Sequence, residues 1–191
     1  MERQIKIHVL HTGEVCVSPS LSFGGEHCST VKASGVFGKK AGRVRLTVSA
    51  YFIEHPKGKI LVDCGWHRDM SLGELDKKAQ IKSLGSPILY RVNQRRIGMG
   101  CAVNEQLARM GVAPSDLDYV MLTHLDCDHA SGLKLVAGAK HILVSKDEVR
   151  FAAENAAVRY QKRWWSGVNL AAFSWNGTAG PAEKPYDLFG D

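Results

Sequence analysis

The stretch that most constrains this chain runs from Asp118 to Gly132. It opens with the apolar run Tyr119-Val120-Met121-Leu122, unalternating and short, as suits a strand buried on both faces of a sheet. A strand covered on both faces needs further layers around it, so the surrounding chain must be a layered α/β structure. Directly after it come His124, Asp126, Asp128 and His129. The C-terminal end of such a strand opens into a loop where side chains converge, which is where layered α/β proteins carry their chemistry. Imidazole nitrogens and carboxylate oxygens at this density are metal donors suited to zinc, with iron or manganese as alternatives. A helix cap needs one such residue and accounts for neither histidine.

The rest of the chain is legible in pieces. From Gln4 to His11, Ile5, Ile7 and Val9 alternate with polar residues, as in a half-buried strand, and Gly13 predicts a turn. Ser18 to Gly42 is rich in Gly and Ser without a period, and reads as a surface loop. Val44 to Glu54 is strand-like, and His55-Pro56-Lys57-Gly58 punctuates a hairpin into a strand from Lys59 to Asp63. Between Ser71 and Gly111 the pattern is helical, with Ala102, Leu107 and Met110 on one face and Gly111 just past the end. Ala130 to Ala137 predicts a short helix and His141 to Val144 a buried strand. Ser145 with Glu148 has capping-box spacing and starts a helix toward Ala157. The first third is thus antiparallel β and the remainder alternates strand and helix. Pro185 to Asp191 reads as the approach to another turn and strand.

A chain of 191 residues, 45% of them hydrophobic, predicts one domain with a sizeable core. The formal charge of +6 raises the question of acidic ligands or nucleic acid. The basic residues sit in small groups, Lys39 with Lys40, Arg91 with Arg95 and Arg96, and Arg159 with Lys162 and Arg163, and read as solvated faces. The five cysteines, odd in number and without a CxxC pair, favour a reducing compartment. The N-terminus lacks a signal-peptide core and nothing approaches the ~20 apolar residues of a membrane span, so the cytoplasm is the expected location, without membrane association. Gly98 and Gly100 have no strand–turn–helix context for dinucleotide binding.

On these residues the sequence resembles the metallo-β-lactamase-fold hydrolases. Their second motif, H-x-H-x-D-H, reads here His124-Leu125-Asp126-Cys127-Asp128-His129, with Asp126 in place of the second histidine. The stretch from His55 to Trp66 looks like their first motif, a strand ending in Asp-x-Gly at Asp63-Cys64-Gly65. The continuation Ala130-Ser131-Gly132-Leu133 is most similar to the branch of N-acyl homoserine lactonases, the quorum-quenching enzymes. The resemblance implies an αββα sandwich forming one domain over residues 1–191, C-terminally truncated relative to the family: the N-terminal half plus part of the second. It also implies two zinc ions, the first held by His124 and Asp126, the second by Asp128 and His129, with Asp63 orienting a ligand. A carboxylate at 126 adds charge and oxygen character, which shifts that site toward iron or manganese.

The activity implied is metal-dependent opening of a small-molecule lactone or related ester, in which Asp128 orients the nucleophile and moves a proton to the leaving alkoxide. The alternatives are a nuclease of the same superfamily acting on RNA, although nucleic acid is not the favoured partner, and an inactive fragment or interaction module. The family's third motif, a His in a Thr-Pro-Gly-His context followed by a bridging Asp and a final His, has no counterpart after His129, and the donors present predict weak metal binding. His141, the only later histidine, reads as a strand residue. Trp66 and His67, just after Asp63, are candidates for the edge of a substrate pocket. Trp164, Trp165, Phe173 and Trp175 read as core packing. Cys127, between two acids that raise its pKa, is not expected to act as a nucleophile. The sequence leaves the oligomeric state open.

Overall fold

A mixed sheet carries the fold. The computed structural model describes residues 4–24, 27–35, 42–71, 76–93, 97–155, 159–176 and 185–190. Among these, six strands lie side by side in sequence order: β1 (Lys6–Val17), β2 (Val44–His55), β3 (Gly58–Val62), β4 (Tyr119–Leu122), β5 (His141–Ser145) and β6 (Leu170–Phe173). The first three pair antiparallel, β2 and β3 through a hairpin closed by the two residues Pro56 and Lys57. From β3 onward the pairing is parallel. Parallel neighbours need long crossovers, and helices fill these.

The helices are α1 (Pro19–Phe23) and α2 (Thr30–Ser34) between β1 and β2; α3 (Lys77–Leu84), α4 (Pro87–Val92) and α5 (Val103–Arg109) before β4; α6 (Cys127–Ala130) after it; and α7 (Lys146–Glu154) after β5. The antiparallel start and the later alternation are as the sequence predicts. The described residues supply one sheet of the expected αββα sandwich with its helices.

Several local expectations need correction. Gly13 makes no turn: β1 runs through it with a bulge between His11 and Gly13, which turns Thr12 inward to full burial. The stretch 18–42 is not a featureless loop. Ser18 and Ser29 accept hydrogen bonds from the amides of Ser20 and Lys32 and so cap α1 and α2, turns too short to show a period. The helix expected over Ala130–Ala137 is divided into α6 and a 3-10 turn at Leu133–Val136. β4 buries Val120 and Leu122 completely, while Tyr119 and Met121 are half-buried. β6 was not anticipated, and residues 185–190 form no strand. Lys39, Lys40, Arg95, Arg96 and Ala157 lie outside the described residues.

The core is continuous across the sheet, joining Leu10, Phe52, Leu61 and Val120 with Leu107 and Leu117 around the fully buried Trp66. Trp164 belongs to it and Trp165 packs against it, whereas Trp175 is exposed, its indole N–H donating to Asp147 at 3.0 Å. His141 stacks on Tyr119 at 5.2 Å, the structural role expected of it.

At the N-terminal edge of β4, Asp118 ties three strands together. One carboxylate oxygen accepts from the Lys59 amide at 2.7 Å beside β3, and the other from the Lys140 ammonium at 2.7 Å beside β5. The Lys140 and Lys59 hydrogen bonds hold the Asp118 carboxyl below its usual range. A depressed carboxyl stabilises the fold above its unfolded pKa, and that contribution fades as pH falls through the folded value. Asp118→Ala is expected to cost about 1 kcal/mol at neutral pH. The gap between variant and wild type in urea denaturation should close below roughly pH 4; a gap that persists at lower pH would contradict this role.

Candidate functional site

β3 and β4 are in parallel register, with Val62 opposite Met121, so their C-terminal ends lie level. Asp63 follows β3 and donates its backbone N–H to the Met121 carbonyl at 2.9 Å. It has φ 61°, the one non-glycine residue with positive φ among those described, and aspartate tolerates that region better than most. Its side chain is buried. The carboxylate accepts the Thr123 amide at 2.9 Å, receives the Thr123 hydroxyl at 2.8 Å, and accepts from His129 Nδ1 at 2.9 Å.

These contacts set the state of both histidines. His129 donates Nδ1–H to Asp63, so in the neutral ring Nε2 keeps its lone pair. The Thr123 hydroxyl gives its proton to Asp63 and therefore accepts from His124 Nδ1, at 2.9 Å, which leaves His124 Nε2 with its lone pair too. The rings sit together, centroids 4.0 Å apart. His124 Nε2 lies 3.6 Å from Asp126 Oδ2, and His129 Nε2 lies 3.7 Å from Asp128 Oδ2. Burial alone would lower the His129 pKa, but the Asp63 hydrogen bond and the charge of Asp128 outweigh it and raise it. Burial, reinforced by the charge of Asp126, raises the Asp128 carboxyl against the pull of His129.

The loop is pinned from two sides. The Cys64 amide donates to the His129 carbonyl at 2.9 Å, the Gly132 amide to the Gly65 carbonyl at 3.0 Å, and the His67 amide to Ser131 Oγ at 3.1 Å. This contact is so close that a Cβ on Gly132 would lie 2.4 Å from the Cys64 carbonyl oxygen, and one on Gly65, where φ is 62°, would lie 2.0 Å from Thr12 Oγ1. On the other side Glu148 Oε1 accepts the Leu125 amide at 2.8 Å. The expected capping box is therefore half made: Ser145 Oγ caps the Glu148 amide at 3.1 Å, while the Glu148 carboxylate holds the loop. Cys127 is buried, and burial first, then the flanking acids, pushes its thiol well above the ordinary range.

His124, Asp126 and Asp128 open onto a cavity of about 660 Å³ whose walls include Val15, Val17, Leu21, Ile88 and Leu89. Arg159 joins them there, its guanidinium forked onto the Asp126 carboxylate at 2.6 and 2.5 Å. Sequence reasoning placed Arg159 on a solvated face, and assigned no part to Thr123. Arg159 lies in irregular chain beyond α7, where no period indicates direction; Thr123 stood beside the motif, but only Asp63 shows its use. His67 lines a different cavity of about 430 Å³ with Lys82 and Lys134, and Trp66 is wholly buried in the core. The structure thus brings His124, Asp126, Asp128, His129 and Asp63 together and sets Trp66 and His67 apart from them.

The donor set fits divalent metal in kind, since both Nε2 lone pairs face carboxylate oxygens and both Nδ1 positions are tied from behind. The donors come as two N/O pairs; among the described residues no group of three or more His, Cys, Asp or Glu side chains is arranged to hold one metal ion.

The sequence pattern of the Metallo-beta-lactamase superfamily matches residues 43–163, which include both motifs. The chain is similar to the N-acyl homoserine lactonase AiiB of Agrobacterium fabrum, 27% identical over 155 residues that cover 81% of this chain and 50% of AiiB. It is similar to the lactonase AttM of the same organism, 24% identical over 153 residues, or 76% of this chain and 52% of AttM. The chain spans about half the length of the curated relatives it matches. Among solved structures, an N-acyl homoserine lactone hydrolase with N-hexanoyl-L-homoserine at its catalytic metal centre superposes with a TM-score of 0.66 at 19% identity, covering 92% of this chain and 62% of that one. The dizinc quorum-quenching lactonase AidC does so with a TM-score of 0.52 at 15% identity, covering 92% and 60%. These two likenesses show the fold.

Two substitutions test the geometry. Asp63→Asn keeps the shape and the backbone tolerance but faces His129 Nδ1–H and the Thr123 hydroxyl with a weaker acceptor, and should cost about 2 kcal/mol. His129 should then titrate at lower pH by NMR; an unchanged midpoint would mean that Asp63 does not set its charge. Gly65→Ala adds a clash to a left-handed backbone and should cost about 2–4 kcal/mol in urea denaturation with an unchanged slope.

Proposed function

Because this chain belongs to the metallo-beta-lactamase superfamily, we propose that it is a metal-dependent hydrolase that opens lactones or related esters, as the names of its N-acyl homoserine lactonase relatives indicate for those proteins. The observation that carries this reading is that His124, Asp126 and Asp128 line an apolar cavity, with His129 beside Asp128 and the Nδ1 of each imidazole tied from behind. His124 with Asp126, and His129 with Asp128, would hold the metal. Zinc is the ion favoured by the nitrogen donors and by the dizinc relative, with iron or manganese served by the oxygen of Asp126. When bound, such an ion supplies a hydroxide near neutral pH and polarises a carbonyl.

The chain's own groups do the rest. Asp63 fixes His129 through Nδ1, and Thr123 fixes His124 in the same way. The aliphatic walls exclude water and accommodate an acyl chain. Asp128, raised toward protonation by burial, is placed to take up a proton from the nucleophile and return it to the leaving alkoxide. No covalent intermediate is required, and buried Cys127 stays out of the reaction. RNA is not favoured as a substrate by a cavity with aliphatic walls. The five cysteines are free, which accords with a reducing compartment such as the cytoplasm, and no helix among the described residues is long and apolar enough to cross a membrane.

The test is ring opening of N-hexanoyl homoserine lactone, followed by proton release, with zinc or manganese added and then chelated. Opening should depend on the metal, and Asp128→Asn should lower its rate by ~10²–10⁴-fold. Chelator-insensitive opening, no opening at saturating metal, or a fully active Asp128→Asn would refute the proposal.

A further inference from the structure

Arg159 is built into the site. Its Nε and Nη2 each meet one oxygen of Asp126, at 2.6 and 2.5 Å, the planar fork that matches guanidinium to carboxylate. Its guanidinium carbon lies 5.1 Å from the centre of the Tyr160 ring, so a buried aromatic face backs the cation from behind. Asp126 Oδ2, which receives Nη2, is the same oxygen that stands 3.6 Å from His124 Nε2. A metal ion shared by His124 and Asp126 would need that oxygen, and would bring two positive charges against a guanidinium already seated on it. Asp126 stands at the N-cap of α6 without a side-chain capping hydrogen bond.

We propose that Arg159 is a resident counter-cation that holds Asp126 in place of a metal ion, so that an ion enters between His124 and Asp126 only by displacing the guanidinium. The inference rests on the hydrolase reading and deepens it: the two donor pairs are unequal. Among the described residues Asp128 beside His129 has no Lys or Arg seated on its carboxylate, while Asp126 beside His124 carries the guanidinium of Arg159. The opposite role, a positioning residue that presents Asp126 to the metal, would give the opposite result on mutation, since supporting partners of metal ligands raise affinity and their loss typically lowers it 10–100-fold.

The experiment is calorimetric titration of the metal-free chain with zinc, and separately with manganese, with the bound ions counted by elemental analysis after gel filtration. Wild type, Arg159→Gln and Arg159→Lys are compared, with the thermal midpoint of each metal-free protein as a check on folding. Arg159→Gln should bind tenfold or more tightly, or take up an additional ion, and its metal-free form should melt lower because Asp126 has lost its partner. Arg159→Lys, which keeps the charge without the fork, should fall between the two and remains informative if the glutamine variant does not fold. Weaker or unchanged binding in the variants overturns the proposal. If wild type and variants bind one ion alike, only this inference falls; if none binds metal at all, the hydrolase reading falls with it.

Discussion

Everything at the site depends on the buried carboxylate of Asp63. One acidic side chain at the end of β3 accepts from the backbone and hydroxyl of Thr123, at the end of β4, and from the imidazole of His129, one turn further on. A buried charge is costly unless its lone pairs are satisfied, and here they are satisfied by the groups whose orientation matters. The Thr123 hydroxyl, having given its proton to Asp63, can only accept from His124. A single anion thus sets the proton positions of two imidazoles, directly for one and through a hydroxyl for the other. The left-handed backbone at Asp63 is the local cost of turning that carboxylate inward.

The packing around this anion explains a glycine whose role the sequence concealed. The bulge at Gly13 in β1 buries Thr12, whose hydroxyl donates to the Val48 carbonyl at 3.2 Å and sits where only a hydrogen fits on Gly65. Gly65 in turn accepts the amide of Gly132. The antiparallel first third is therefore locked to the loop carrying His124 to His129 by the close approach of Thr12 to Gly65 and of Gly65 to Gly132. Glu148 closes the other side from α7, so the loop between Leu125 and Gly132 is held by elements from both the antiparallel and the parallel halves.

Much of this was legible, and for identifiable reasons. The apolar run into His124, the hairpin at His55–Gly58 and the Gly111 stop obey local rules of period and turn chemistry, and the antiparallel start and later alternation follow from such signals. The donors His124, Asp126, Asp128 and His129 were visible because four such side chains in six positions have no structural explanation. Arg159 and Thr123 were not, because their meaning lies in partners 33 and 60 residues away in sequence, Asp126 and Asp63. The same holds for Glu148: its spacing from Ser145 was a true helix signal, but long-range geometry captured the carboxylate for Leu125. Short helices such as α1 and α2 escape periodicity altogether, being only five residues each.

Those two short helices bear on how the site works. The cavity above His124 and Asp128 is walled by β1 through Val15 and Val17, by α1 through Leu21, by α2 through Val31 and by α4 through Ile88 and Leu89, while His124, Asp126, Asp128 and Arg159 come from the second half of the chain. Leu21 and Ile88, which line this cavity, are about half exposed, at 46% and 45%. Half-exposed apolar side chains around a cavity carry a solvation cost that an apolar ligand segment would remove on binding. Asp63 and Thr123, at the ends of β3 and β4, hold the two imidazoles by hydrogen bonds, while the apolar walls come from β1, α1, α2 and α4. On the proposed reading, the fit of an apolar substrate segment and the geometry of the donors would rest largely on separate parts of the sequence.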